Sequence, residues 1–216
     1  MIIPGIETAK SEIKRVIEMY PEVKIAADQL PKTYIGKRGL MVVDVVASRQ
    51  RKYDEYVKPK LLPTYVAEAN DLSLATLAHK APTWMKLREG EALVMKNVAE
   101  QIIGYSKISK ASNEDDLCKM WADDKIFSSQ VLDIKGIGPA LYQYLRMLCG
   151  ADSLKSDLRV KLGLKKLGLP VDWFTDEGVL ALCEMLAEEV QCTLVELDQC
   201  LYQVLGNKNS SSFQNG

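Results

Sequence analysis

The chain has 216 residues, 47% of them hydrophobic and 26% charged, with a formal net charge of −1. These are the proportions of a soluble globular protein with one sizeable core, or one core in two lobes. No apolar run is long enough to span a bilayer and the first residues lack a basic-then-apolar signal pattern, so no membrane partner is expected.

Helical signals run through the whole chain. Ile6, Ile13, Val16 and Ile17 form a stripe ahead of Pro21. Leu40 to Ala47 is a dense apolar run, read as a buried helix because its surroundings are helical. Residues 53–69 continue as a helix interrupted near Pro59 and Pro63. Asp71 is expected to cap a helix over 72–80, which ends before Pro82. Further helices are expected over 89–105, 114–122, 127–133 and Pro139 to Cys149. Asp157 opens a helix to Leu167, Thr175 caps one over 176–190, and Thr193 caps a last one to Leu205. The tail, residues 206–216, is small and polar and is expected to be disordered. Trp84, Trp121 and Trp173 are assigned to a core or to the junction of two lobes.

Charge is distributed unevenly. Residues 49–60 hold five basic and two acidic residues, and residues 155–166 hold five basic residues against Asp157. Residues 171–201 hold eight acidic residues and no Lys or Arg. Such a molecule can present a polyanion with one side only, although solvated helix faces explain the same runs. The five cysteines, Cys118, Cys149, Cys183, Cys192 and Cys200, include no Cys-x-x-Cys, and His79 is the single histidine. Reduced, buried thiols in an intracellular compartment are therefore expected, with no metal site.

One stretch carries chemistry. Lys135-Gly136-Ile137-Gly138-Pro139-Ala140 joins two short helices. Gly136 can adopt a positive φ, Gly138 leaves the backbone bare, and Pro139 suits the first helical position. The free N–H groups of that helix start attract a phosphate without reading sequence, although many such turns serve packing alone. Further on, Asp157 begins a basic helix. Its plain role is an N-cap, and the same donors and dipole favour a carboxylate there. A carboxylate so held can stabilise an oxocarbenium ion or take a proton from water attacking a sugar carbon.

Leu132-Asp133-Ile134-Lys135-Gly136-Ile137-Gly138, the helix Pro139 to Cys149, and Lys155-Ser156-Asp157-Leu158-Arg159-Val160 together resemble the signature of the helix-hairpin-helix (HhH-GPD) DNA glycosylase superfamily. The likeness covers about residues 125–170, with a weaker one over 38–57. Lys155-Ser156-Asp157 is also similar to the Lys-Pro-Asp of a bacterial branch with a Gln-Tyr-Leu-Arg-Met-Leu helix, here residues 143–148. The resemblance implies an all-α, two-lobed fold. Residues 37–150 would form a helical barrel ending in the hairpin. A second lobe would combine residues 1–36 with residues 151–205, and a flipped nucleotide would lie in the cleft.

Site residues follow from the resemblance. Asp157 would be the catalytic carboxylate. Lys135, Gly136, Ile137, Gly138, Pro139 and Ala140 would grip phosphate. Gln50 aligns with the wedge that fills the vacated stack, and Arg49, Arg51 and Lys155 would hold the backbone, although a basic surface loop explains the first three equally. Ala140, Gln143, Tyr144 and Met147 are candidate pocket residues, Ala140, Tyr144 and Met147 sharing one helix face; core packing is the plainer role for that face. Ala140 stands where bifunctional members carry a lysine that attacks the sugar, so hydrolysis without strand cleavage is expected. Lys135 and Lys155 remain as substitute amines. Cys183, Cys192 and Cys200 lack the number and spacing for the family's iron–sulfur cluster, so no cofactor is expected, beyond a monovalent cation that the resemblance allows at the hairpin carbonyls. The implied partner is double-stranded DNA containing a modified base, bound by a monomer located intracellularly with DNA, in nucleoid or nucleus. Two other readings fit the same residues: a non-catalytic helix-hairpin-helix DNA-binding protein, and a helical interaction protein using the acidic face of 172–198.

Overall fold

A computed structural model describes residues 3–205, and the side chains of residues 3–202. The tail expected to be disordered lies outside the described residues. Among the described residues the chain is all-helical, without strands. In chain order the helices are α1 (Ile6–Met19), α2 (Pro21–Gln29), α3 (Arg38–Ala47), α4 (Leu62–Glu68), α5 (Leu74–His79), α6 (Glu91–Gly104), α7 (Glu114–Asp123), α8 (Lys125–Ser128), α9 (Pro139–Cys149), α10 (Leu158–Lys166), α11 (Asp176–Val190) and α12 (Leu194–Gln199). Two π-helical stretches, Tyr53–Leu61 and Cys200–Leu205, lead into α4 and continue α12. None of the described helices is long and apolar enough to cross a membrane.

The chain divides into two compact units: a central one, Pro31–Ala151, and a terminal one, from the described parts of Met1–Leu30 and Asp152–Gly216. In the central unit every residue of α3 is buried. A helix buried on every side belongs in the middle of a core, and α3 packs against α4, α5, α6, α7 and α9. Gly39 makes the contact with α5 possible, because a Cβ there would stand 2.3 Å from the Ser73 carbonyl oxygen. Trp121 is fully buried, and its indole N–H donates to Gln101 Oε1 at 2.8 Å.

In the terminal unit the apolar stripe of α1 (Ala9, Ile13, Val16) shares one core with Val160 and Leu164 of α10, and with Val179, Cys183 and Leu186 of α11. Gly163 lets α10 approach the final π-helical stretch, where a Cβ would lie 2.9 Å from the Leu201 carbonyl oxygen. Thr175 caps α11, and Thr193 forms a capping box with Glu196 at α12.

Three expectations change. The cap of α5 is Ser73, whose hydroxyl accepts from Thr76 N–H; Asp71 braces it by accepting from Ser73 N–H at 2.8 Å and the Thr76 hydroxyl at 2.6 Å. The helix expected over 127–133 is two pieces, α8 and a 3-10 turn over Ser129–Asp133, because Asp124 starts a helix before Phe127 by accepting its N–H. Trp173 is 90% exposed and Trp84 38%, so neither is buried in a core. Trp173 ends a single 3-10 turn just after Pro170, too short to bury its own side chain.

Candidate nucleic-acid interface and candidate carboxylate

The hairpin lies in the central unit. Ile137 N–H donates to the Ile134 carbonyl at 2.9 Å, closing a turn in which Gly136 has φ 109°. A side chain is strained in that conformation, and a Cβ there would also stand 2.7 Å from Arg49 Nη1. Gly138 is the N-cap of α9, with Pro139 in the first turn and no side-chain cap. A Cβ on Gly138 would meet nothing within 4 Å, so this start of α9 faces open space. Ile137 is buried and anchors the turn, while Lys135 is exposed. Gly138, Pro139 and Ala140 are half-buried.

The loop after α3 is joined to this turn. Arg49 Nη1 donates to the Gly136 carbonyl at 3.3 Å. Gln50 is exposed and has φ 52°, one of two non-glycine residues in the left-handed region among the described residues. Arg88 holds it there, donating to the Gln50 carbonyl at 2.9 Å and to its amide oxygen at 3.3 Å. Arg51 is committed within the fold: its guanidinium bonds Glu91 Oε1 at 3.0 Å, Glu91 Oε2 at 2.6 Å and the Ala47 carbonyl at 3.0 Å. Glu91 is 1% exposed and also accepts Arg88 N–H, so one carboxylate starts α6 and braces the loop. Of the three residues proposed around the wedge, Gln50 faces solvent, Arg49 supports the hairpin, and Arg51 supports Glu91.

The candidate pocket residues of α9 have inward partners. Met147 is buried. Gln143 Oε1 accepts from Arg146 Nη1 at 3.1 Å, and Arg146 Nε donates to the Ala122 carbonyl. Tyr144 donates to Asp44 Oδ2 at 3.1 Å. That oxygen also accepts from Tyr34 at 2.6 Å and Tyr53 at 3.1 Å. A fully buried carboxylate thus gathers three phenols from the turn Pro31–Tyr34, the π-helical stretch and α9. Sequence reading missed this cluster; its signal was an aspartate inside an apolar run.

The cluster has a pH signature. Burial first, and then the Asp44 charge, push the hydroxyls of Tyr34, Tyr53 and Tyr144 well above the usual phenol value near 10. The folded protein therefore keeps these protons where the unfolded chain has lost them. This contribution to stability is fully present below about pH 10 and is lost as pH rises further. An absorbance titration of the nine tyrosines should show a late group that ionises only with loss of the near-ultraviolet circular dichroism. One reversible transition of all nine near pH 10 in folded protein would show that the cluster does not hold its protons.

Asp157 belongs to the terminal unit and is the N-cap of α10. Its Oδ1 accepts Arg159 N–H at 2.9 Å and Val160 N–H at 3.3 Å. Its Oδ2 faces Lys155 Nζ at 3.5 Å, and the side chain is 27% exposed. One oxygen is tied to the helix while the other meets the Lys155 cation. Among the described residues no group of three or more His, Cys, Asp or Glu side chains is placed to hold a metal ion. No protein-family model, curated protein or solved structure matches the chain.

Proposed function

We propose that this chain is a monofunctional DNA glycosylase of two-lobed helix-hairpin-helix type, acting on double-stranded DNA with a modified base. The observation that carries the reading is Asp157, held by two helix N–H groups through Oδ1 with Oδ2 left toward the surface. The central unit supplies the phosphate grip at the uncapped start of α9, and Gln50 supplies the wedge. Water attacks C1′ as the N-glycosidic bond breaks, and the base leaves with the bonding pair and takes a proton from solvent, to which Asp157 returns the one it accepts. Asp157 stabilises the cationic sugar and takes the proton from water. Ala140 offers no amine for a covalent intermediate, and the chemistry needs no cofactor.

A non-catalytic DNA-binding role has one observation in its favour. Lys155 Nζ lies 3.5 Å from Asp157 Oδ2, and must turn aside before that oxygen meets a sugar. Duplexes carrying oxidised, alkylated or deaminated bases, incubated with the protein and then cleaved at abasic sites with alkali, separate the two. Base release without a borohydride-trapped adduct is expected. A trapped adduct overturns the monofunctional assignment, and duplex binding with no release on any substrate leaves the non-catalytic role.

A further inference from the structure

We propose that Asp198 is a positioning residue for Asp157, holding through its carboxylate the peptide from which the Asp157 side chain is aimed. Its consequence for catalysis rests on the glycosylase reading; the geometry does not.

Residues 152–157 have no regular structure, yet Ser153, Leu154 and Ser156 are each at most 2% exposed. A buried irregular segment must find partners for its backbone groups elsewhere. It finds them on α12, and the bonds run both ways. Asp152 Oδ1 accepts Val195 N–H from the first turn of α12 at 3.2 Å. Asp198, on the same helix and 4% exposed, accepts Lys155 N–H through Oδ1 at 3.0 Å. The Lys155 carbonyl then accepts Asp157 N–H at 2.7 Å. Asp157 in turn accepts the first N–H groups of α10. Both backbone groups of Lys155 are thereby engaged, one by Asp198 and one by Asp157. α12 is a firm base for this, with its capping box at Thr193, Leu197 fully buried within it and Cys200 fully buried just after it.

Electrostatics give the clamp a distinguishing signature. Burial, chiefly, and the nearby Asp157 charge push the Asp198 carboxyl up to about 7, against the Lys155 N–H bond, the Lys155 charge and the Gln199 amide, which donates to Asp198 Oδ2 at 3.2 Å. The ionisable groups facing it are Lys155 and Asp157 from the loop and the Cys183 thiol from α11. A carboxylate is the stronger acceptor, so the grip on Lys155 tightens as pH rises through that value. Asparagine can still accept the N–H but does not titrate.

The test uses the full chain as wild type, Asp198→Asn and Asp198→Ala. In wild type the Lys155 amide shift should titrate with a midpoint of about 7. In Asp198→Asn the titration should vanish while amide exchange at Lys155 stays within about threefold, because the acceptor remains. In Asp198→Ala exchange at Lys155 and Asp157 should accelerate at least about tenfold with α11 amides unchanged. On a duplex from which wild type releases a base, Asp198→Ala should slow single-turnover release about tenfold with unchanged Kd, the mark of lost positioning. Asp198→Asn should keep the rate within about threefold and lose the pH step near 7. Unchanged Lys155 exchange in Asp198→Ala overturns the proposal. If that variant does not fold, a Lys155 amide that still titrates in Asp198→Asn overturns it instead. If wild type releases no base but the Lys155 amides behave as stated, the clamp stands and the glycosylase reading falls.

Discussion

Asp157→Asn is expected to lower base release by about 10²- to 10⁴-fold, the usual worth of a positioned acid–base group, with duplex affinity and thermal stability little changed. The separation follows from the two oxygens. Asparagine caps helices about as well as aspartate, and its remaining oxygen can still accept Arg159 and Val160 N–H. The atom replacing Oδ2 becomes an amide nitrogen facing Lys155, with no charge for a cationic sugar and no basicity for water. Single-turnover assays, with melting curves on the same samples, check this. Equal rates for variant and wild type would remove Asp157 from the chemistry and leave it as a cap.

Glu91→Ala is expected to cost about 3–5 kcal/mol of stability, because it strands a guanidinium inside the protein. The Arg51 side chain is 7% exposed and its ionic partner is Glu91, itself 1% exposed. The same carboxylate accepts Arg88 N–H, so its loss also loosens the start of α6 and the loop around Gln50. Urea unfolding measures the cost. Adding Arg51→Met should restore most of it, since removing both charges spares the penalty that removing one imposes. A double variant no more stable than Glu91→Ala would mean that the effect does not arise from the stranded charge.

The helical architecture was largely legible because its signals are local. Thr175, Thr193 and Asp157 each cap the helix they were expected to cap, each within three residues of the groups it bonds. Pro139 begins α9 after the Gly136 turn for the same reason. The polar interior was not legible. Asp44 meets phenols 9, 10 and 100 positions away, and Glu91 meets Arg51 across 40 positions, so neither pairing has a spacing to betray it. Arg51 looked like a surface cation because a charge run says nothing about which members fold inward. Trp173 looked like core because large aromatics usually are, yet its short turn leaves it outside.

The cysteines acquire a use from where they sit. Cys118 and Cys149 are buried in the central unit, and Cys183 and Cys200 in the terminal unit. Burial pushes the Cys183 and Cys200 thiols well up, and a thiol hydrogen bond with Cys149 together with burial does the same for Cys118. Alkylating reagents attack the thiolate, so these groups stay silent until the structure around them opens. Each unit therefore carries its own native clock, and the order in which the sulfurs are modified reads out which unit breathes first.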